Sequence, residues 1–306
     1  MTRQAQVIAV VGPTAAGKSE LGIALARELG GEVVNADSMQ LYRGMDIGTA
    51  KLTEAERGSV PHHLLDVWPV TATANVAAYQ RMARDAVDGL LARGRVPVLV
   101  GGSGLYIRSV IDDLDFPGTD PGIRNRLESE LASAGAVALH ERLRRADPGA
   151  AEAILPSNGR RIVRALEVIE LTGRPFTATL PGYDAVYDAV QVALDVPREE
   201  LDDRIERRVG AMWRAGFIDE VRELERAGLR DGLTASRALG YAQVLRYLAG
   251  EWDEQTAEEE TTRGTRKFAR RQESWFRRDP RVRWLGYRRP DLLEAALATV
   301  NAAESS

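Results

Sequence analysis

The run Gly12-Pro13-Thr14-Ala15-Ala16-Gly17-Lys18-Ser19 constrains this chain more than any other stretch. It fits GxxxxGK[ST], follows the apolar segment Val7-Ile8-Ala9-Val10-Val11 and leads into a helix-forming segment at 20–29. Strand, glycine loop and helix in that order make a phosphate-binding loop. The glycines let backbone N–H groups turn inward around an anion, and the helix beginning near Lys18 aims its positive dipole end at the same point. Lys18 adds a mobile cation, and the Ser19 hydroxyl can join a Mg²⁺ shell. A di- or triphosphate is therefore expected at Gly12, Thr14, Ala15, Ala16, Gly17, Lys18 and Ser19. The motif specifies neither ATP nor phosphoryl transfer.

The segments that follow fit the same architecture. Val33-Val34-Asn35-Ala36 reads as a second strand ending at Asp37-Ser38. Helical periodicity runs over 75–93, and Val96-Pro97-Val98-Leu99-Val100 reads as a buried strand stopped by Gly101-Gly102-Ser103-Gly104. Alternating strands and helices predict an α/β fold, a P-loop NTPase-like parallel sheet with helices on both faces. Ligands of such sheets sit beyond the C-terminal strand ends. The phosphate loop, Asp37 and Ser103 all follow strands, so one crevice is expected to hold all three.

The character changes over 116–189, where helical segments are expected at 123–134, 136–145 and 157–171. This stretch reads as a smaller, mostly helical insertion domain between two parts of the core, 1–115 and 190–306. Val192-Ala193-Leu194-Asp195-Val196 returns to the sheet. Helices are then expected at 198–215, 218–227, 236–249 and 257–277, a late strand at 282–285 and a closing helix at 290–303.

Composition removes several kinds of chemistry. The chain has no cysteine, which excludes disulfides, thiolate zinc sites and cysteine nucleophiles. Met1–Gln6 carries no long apolar leader, and no apolar run approaches the roughly 18 residues that span a bilayer. A soluble, cytoplasmic, monomeric protein with no membrane partner is expected. The formal net charge of -4 argues against a globally basic nucleic-acid binder. Basic residues nevertheless crowd 263–289, where only Glu273 and Asp279 oppose them. Such a surface can hold a polyanion; a solvated helix face with ion pairs is the plainer reading, and charge alone leaves both open. Aromatic and basic residues interleave over 267–277, a chemistry suited to RNA, although Phe268 and Phe276 are expected in the core.

Asp37 is the first acid–base candidate, since a carboxylate at a strand end beside a phosphate loop can accept a proton or hold Mg²⁺; a turn or helix cap is its alternative. Gln40 suits adenine, whose edge offers a donor and an acceptor to an amide. Arg160, Arg161 and Arg164 suit phosphate contacts or a plain surface helix. His62 and His63 are adjacent, so their side chains diverge and a metal pair is not expected.

Taken together, Gly12–Ser19, Asp37-Ser38-Met39-Gln40, Gly44-Met45-Asp46-Ile47-Gly48-Thr49-Ala50-Lys51, His62-His63-Leu64-Leu65-Asp66, the 101–106 loop, 161–168, Gly216-Phe217 with Glu220-Val221, Gly240-Tyr241 and Arg270-Arg271-Gln272 with Trp275-Phe276-Arg277 form one pattern. In this order the chain resembles the bacterial tRNA dimethylallyltransferases, the tRNA isopentenyltransferase family. The resemblance implies transfer of a dimethylallyl group from dimethylallyl diphosphate to N6 of the adenosine at tRNA position 37, next to the anticodon. The phosphate loop would then grip the diphosphate leaving group, with Mg²⁺ near Ser19 and without ATP. It implies Asp37 as base, with Lys18 and Ser103 in the catalytic set. Contacts to tRNA are implied for Asp37, Ser38, Met39, Gln40, Ser103, Arg124 or Arg126, Arg160, Arg161, Arg164, Arg237, Gly240, Tyr241, Arg271 and Gln272. The insertion would clasp the anticodon stem-loop.

Two positions depart from the family pattern. Ser103 stands where Thr is commoner, and Ala242 follows Gly240-Tyr241 where a polar or basic residue is commoner. Three other readings stay open on the residues alone. They are an ATP-dependent small-molecule kinase, a prenyltransferase acting on free adenine nucleotides, and an RNA-binding or nucleotide-switch protein without catalysis.

Overall fold

A computed structural model describes residues 7–176 and 182–303. The expectation for Met1–Gln6 lies outside the described residues. Six strands form one sheet: β1 (Val7–Val11), β2 (Glu32–Asn35), β3 (His62–His63), β4 (Pro97–Val100), β5 (Ala189–Asp195) and β6 (Val282–Gly286). Their order is β3-β2-β4-β1-β5-β6, and every pairing is parallel. β1 is buried throughout because both faces are covered, which is why it reads as an unbroken apolar run.

Twelve α-helices occur among the described residues: α1 (Lys18–Glu28), α2 (Glu54–Arg57), α3 (Val76–Ala92), α4 (Gly104–Ile111), α5 (Pro121–Ala146), α6 (Pro148–Ala153), α7 (Gly159–Thr172), α8 (Arg198–Arg214), α9 (Phe217–Arg226), α10 (Tyr241–Leu248), α11 (Glu254–Phe276) and α12 (Leu292–Ala303). Successive β1 side chains point to opposite faces. Ile8 and Val10 join Leu21 and Leu25 of α1 and Ile205 of α8. Val7, Ala9 and Val11 join Tyr79 and Val87 of α3, Ile107 of α4 and Phe276 of α11.

The chain divides into two compact units, one made by Asp112–Asp184 and the other by the sequence on either side. The smaller unit opens and closes a few residues earlier than the 116–189 boundaries expected. It has its own core, including Leu127, Leu139, Leu143, Ile162 and Leu166 from α5 and α7. α5 breaks at Gly135, where φ is 82° and ψ 164°, so two helical segments are present as the sequence indicates.

The helix expected over 236–249 is shorter. A 3-10 turn at Ala235–Arg237 comes first, and Gly240 then takes φ 88° before α10 begins. Apolar periodicity does not register that break, which a glycine adopts without the clash a Cβ would bring. The short elements α2, α4, α6 and the two-residue β3 carry no clear periodicity in the sequence.

Candidate active site

Strand register builds the site. Val10 of β1 pairs with Val100 of β4, and Val100 pairs with Asn35 of β2. The segments that leave these three strand ends therefore stand side by side at one edge of the sheet. They are the phosphate loop, the 101–104 loop and Asp37.

The phosphate loop takes left-handed backbone at Gly12 (φ 123°), Ala15 (φ 62°) and Gly17 (φ 104°), and α1 starts directly after it. Lys18 Nζ donates to the Pro13 carbonyl at 2.7 Å. Thr14 N–H donates to Gln272 Oε1 at 2.9 Å, and Gln272 Nε2 donates to the Gly102 carbonyl at 3.0 Å. One buried amide thus latches the phosphate loop to the neighbouring glycine loop. Gln272, expected at the tRNA, is turned inward with both ends of its amide engaged. The Thr14 amide is likewise turned to Gln272 instead of a phosphate.

Burial pushes the Lys18 ammonium down to about 8, with Arg208 adding repulsion and Asp37 and Glu20 opposing the shift. Burial also lowers the basicity of Arg208, against the attraction of Asp37 and Glu20. Lys18 and Arg208 are therefore close enough to feel one another, and the carboxylates of Asp37 and Glu20 both act on the pair. Arg208 comes from α8, and no motif announces it. The available signal is that α8 follows β5 at the ligand edge and carries Arg204 and Arg208 one turn apart on one face.

An anion held against both cations restores Lys18 toward its ordinary range, so its binding draws in a proton whenever the free group is neutral. Diphosphate affinity is expected to fall as pH rises through about 8, the free-protein value of Lys18, approaching tenfold per pH unit. Calorimetric titration with diphosphate from about pH 7 to about pH 9.5 checks this, with proton uptake read in two buffers. Flat affinity across that range contradicts it.

Asp37 is fixed by its neighbour. Buried Asn35 accepts the Asp37 N–H at 2.9 Å through Oδ1, and its Nδ2 donates to the Leu64 carbonyl at 2.9 Å. Asp37 Oδ1 accepts the Met39 N–H at 2.9 Å, which orients the carboxylate and leaves Oδ2 for a substrate. Tyr79 donates to the Asn35 carbonyl at 2.9 Å, and its ring meets Tyr106 at 4.5 Å. Burial raises both phenols well above their usual range, so they stay neutral beside Asp37.

Ser103 is half-buried where the chain enters α4. Its flanking glycines are required by what approaches them. A Cβ on Gly101 would lie 2.3 Å from the Ala36 carbonyl oxygen, one on Gly102 2.2 Å from Gln272 Nε2, and one on Gly104 1.9 Å from the Trp275 indole nitrogen. Gly101→Ala is expected to destabilise the protein by about 1–3 kcal/mol, the usual cost of overpacking, because its obstacle is backbone. A thermal midpoint equal to the parent's would show that the two strand ends separate freely.

The 44–51 segment proves to be a scaffold. Glu220 accepts the N–H groups of Asp46 (3.1 Å), Ile47 (2.6 Å) and Gly48 (3.2 Å) and the Tyr241 hydroxyl (2.6 Å). Buried Lys51 donates to the Tyr42 carbonyl (3.0 Å) and pairs with Asp46 and Asp66, each at 2.6 Å. The turn so fixed presents the Thr49 carbonyl, which receives Gln40 Nε2 and Arg208 Nη2, both at 3.2 Å. Tyr241, expected at the tRNA, is fully buried, and Gly240 N–H bonds to Gln243 at 2.8 Å. Tyr241 supports this turn from behind through Glu220, and Gly240 caps the helix that carries Tyr241.

Among the remaining arginines, Arg124 pairs with fully buried Glu167. Arg164 meets the same carboxylate at 2.7 Å and donates to the carbonyls of Gly118 (3.0 Å) and Pro117 (2.6 Å). These two hold the smaller unit together. Arg126 pairs with Glu170 at the surface. Arg160 and Arg161 are exposed, Arg161 lying 6.0 Å from the Phe176 ring. Arg237 is exposed, as is Arg271, 5.8 Å from the Phe268 ring. Ser38, Met39 and Gln40 are half-buried next to Asp37. Phe276 is in the core as expected, Phe268 is half-buried, and Trp275 is 38% exposed. His62 Nδ1 donates to the Val60 carbonyl at 2.9 Å and His63 Nε2 meets the Glu32 carboxylate at 2.6 Å, so the histidine pair does diverge.

The pattern has close parallels. Residues 40–279 match the IPP transferase family. A tRNA dimethylallyltransferase of Thermobifida fusca is 69% identical over 299 residues, covering 96% of this chain and 94% of that one. One from Streptomyces coelicolor is 71% identical over 280 residues, covering 92% and 90%. The crystal structure of the full-length tRNA isopentenylpyrophosphate transferase of Bacillus halodurans is 39% identical, with a TM-score of 0.73 and 98% of each chain covered. With the family match, the sequence identity and the shared fold in agreement, the chain belongs to the IPP transferase family, the tRNA isopentenyltransferases.

Proposed function

We propose that this prenyltransferase moves the dimethylallyl group of dimethylallyl diphosphate to N6 of the adenosine at tRNA position 37, next to the anticodon, and releases diphosphate. The observation that carries the reading is the strand register, which brings Asp37, the phosphate loop with Lys18 and the loop of Ser103 to neighbouring strand ends. The adenine amino group is a poor nucleophile because its lone pair is delocalised into the ring. As N6 bonds to the allylic carbon, its proton passes to Asp37 and the C–O bonding pair leaves with the diphosphate. The loop amides, Lys18 and Arg208 receive that charge at a fixed position, which favours the transition state over the bound donor. The target base must leave its stack to reach the sheet edge, a step that costs less in a loop than in a duplex.

Ser38, Met39, Gln40 and Ser103 line the acceptor side in this reading. Gln40 keeps its Oε1 for the base while Nε2 rests on Thr49. Exposed Arg160, Arg161, Arg237 and Arg271 meet the RNA backbone, and the smaller helical unit receives the anticodon stem-loop. The protein works as a monomer in the cytoplasm. Among the described residues no helix is long and apolar enough to cross a membrane.

Mg²⁺ fits the donor set in a limited way. Among the described residues no cluster of three or more acidic or histidine ligands exists. Mg²⁺ commonly takes one or two protein oxygens and completes its shell with water and phosphate, so Ser19 at the start of α1 suffices as the protein ligand. When bound, the ion would supply further neutralisation of diphosphate charge.

The test is mass analysis of nucleosides from unmodified tRNA incubated with the protein, Mg²⁺ and dimethylallyl diphosphate, with ATP as a parallel donor. A prenyl-sized gain on adenosine without ATP is expected. A gain on AMP with none on tRNA points to a free-nucleotide enzyme, and phosphoryl transfer from ATP alone to a kinase.

A further inference from the structure

Arg204 lies one turn before Arg208 on α8 and reaches the phosphate loop. Its Nε donates to the Ala15 carbonyl at 2.7 Å. Its guanidinium sits 5.1 Å from the Tyr287 ring centre, and Tyr287 is itself tied to β5 by its N–H on the Asp195 carbonyl at 3.2 Å. Arg288 Nε donates to the Tyr287 hydroxyl at 2.8 Å, so the ring is held at its outer edge too. Arg204 also borders the cavity behind the loop with Gly17, Glu20, Leu194 and Tyr287.

The bond falls on an unusual residue. Ala15 has φ 62°, in the left-handed region where a Cβ is disfavoured. Among the described residues every peptide is trans, and in a planar trans peptide the carbonyl oxygen and the next N–H point in opposite directions. Holding the Ala15 oxygen outward therefore aims the Ala16 N–H inward, at the anion. Without a partner for that oxygen, Ala15 is free to relax to negative φ and the peptide plane to turn.

We propose that Arg204, seated on Tyr287, is a positioning residue that sets the Ala15–Ala16 peptide plane and so keeps the Ala16 N–H directed at the donor diphosphate. This rests on the diphosphate reading of the loop. Arg204 acts through Ala15 and does not touch the substrate. Gln272 bonds the loop at the Thr14 N–H, whereas Arg204 bonds it at Ala15, the residue with positive φ.

The experiment uses the full chain with Mg²⁺ and inorganic diphosphate as the probe, read by calorimetry, with tRNA affinity measured beside it. Arg204→Met is expected to weaken diphosphate binding about tenfold, the usual scale for a lost charged hydrogen bond, with tRNA affinity retained. Ala15→Gly in that background is expected to recover most of the loss, because glycine holds positive φ without a brace. Diphosphate binding by Arg204→Met equal to the parent's overturns the proposal. So does a double variant no better than Arg204→Met, which would make Arg204 a plain charge. Should Arg204→Met fail to fold, Tyr287→Leu is read instead: weaker diphosphate binding supports the seat, and parental binding overturns it. A parent protein that binds no diphosphate overturns the donor reading itself, and this inference with it.

Discussion

Asp37→Asn is expected to slow prenyl transfer by roughly 10²–10⁴-fold, the range over which a positioned general base contributes. Asparagine keeps an oxygen for the Met39 N–H that Asp37 now accepts at 2.9 Å. The turn should therefore survive, and tRNA binding with it. What asparagine cannot do is take the N6 proton. Single-turnover measurement with tRNA and dimethylallyl diphosphate isolates that step from product release. A rate near the parent's would remove Asp37 from proton transfer and leave it as a turn residue. Loss of tRNA binding together with the rate would assign it to recognition instead.

Arg208→Gln is expected to lower kcat/KM for dimethylallyl diphosphate by roughly 10²–10³-fold, the scale on which a single charge-stabilising donor acts in transfer reactions. Two consequences combine in this variant. The departing diphosphate loses a cation, and the Thr49 carbonyl loses its second donor. Arg208→Lys separates them, because a lysine keeps the charge without the planar fork. Partial recovery in Arg208→Lys assigns the larger share to charge; no recovery assigns it to geometry. Activity of Arg208→Gln within a few-fold of the parent would exclude Arg208 from the leaving-group site.

The legible part of this molecule is local. Gly12–Ser19 carries its ligand class in eight consecutive positions, and Asp37 and Ser103 are legible because each directly follows a strand. The parallel sheet follows from the alternation of those strands with helices, and the likeness to relatives of the same fold bears it out. Arg204 and Arg208 are marked only by their spacing on α8, because their partners, the Ala15 and Thr49 carbonyls, lie far away in sequence. Gln272 and Tyr241 show the opposite limit. Their segments are highly specific, but specificity reveals a constraint without revealing which side of the chain it acts on. Burial decides that, and it turns both residues inward, Gln272 onto Thr14 and Gly102 and Tyr241 onto Glu220. The expected 236–249 helix failed for a related reason, since a hydrophobic period does not record the sign of φ at Gly240.

The Thr14–Gln272 bond joins positions 258 residues apart. A chain emerging from the ribosome at about 5–20 residues per second carries its finished phosphate loop for tens of seconds before the latch exists. For much of that interval β1 also lacks β5, its partner on one side. Contacts of such sequence separation form late because a long loop must close first. The phosphate loop is thus made long before it acquires its working shape, and a product truncated before α11 carries the intact motif without the latch that holds it.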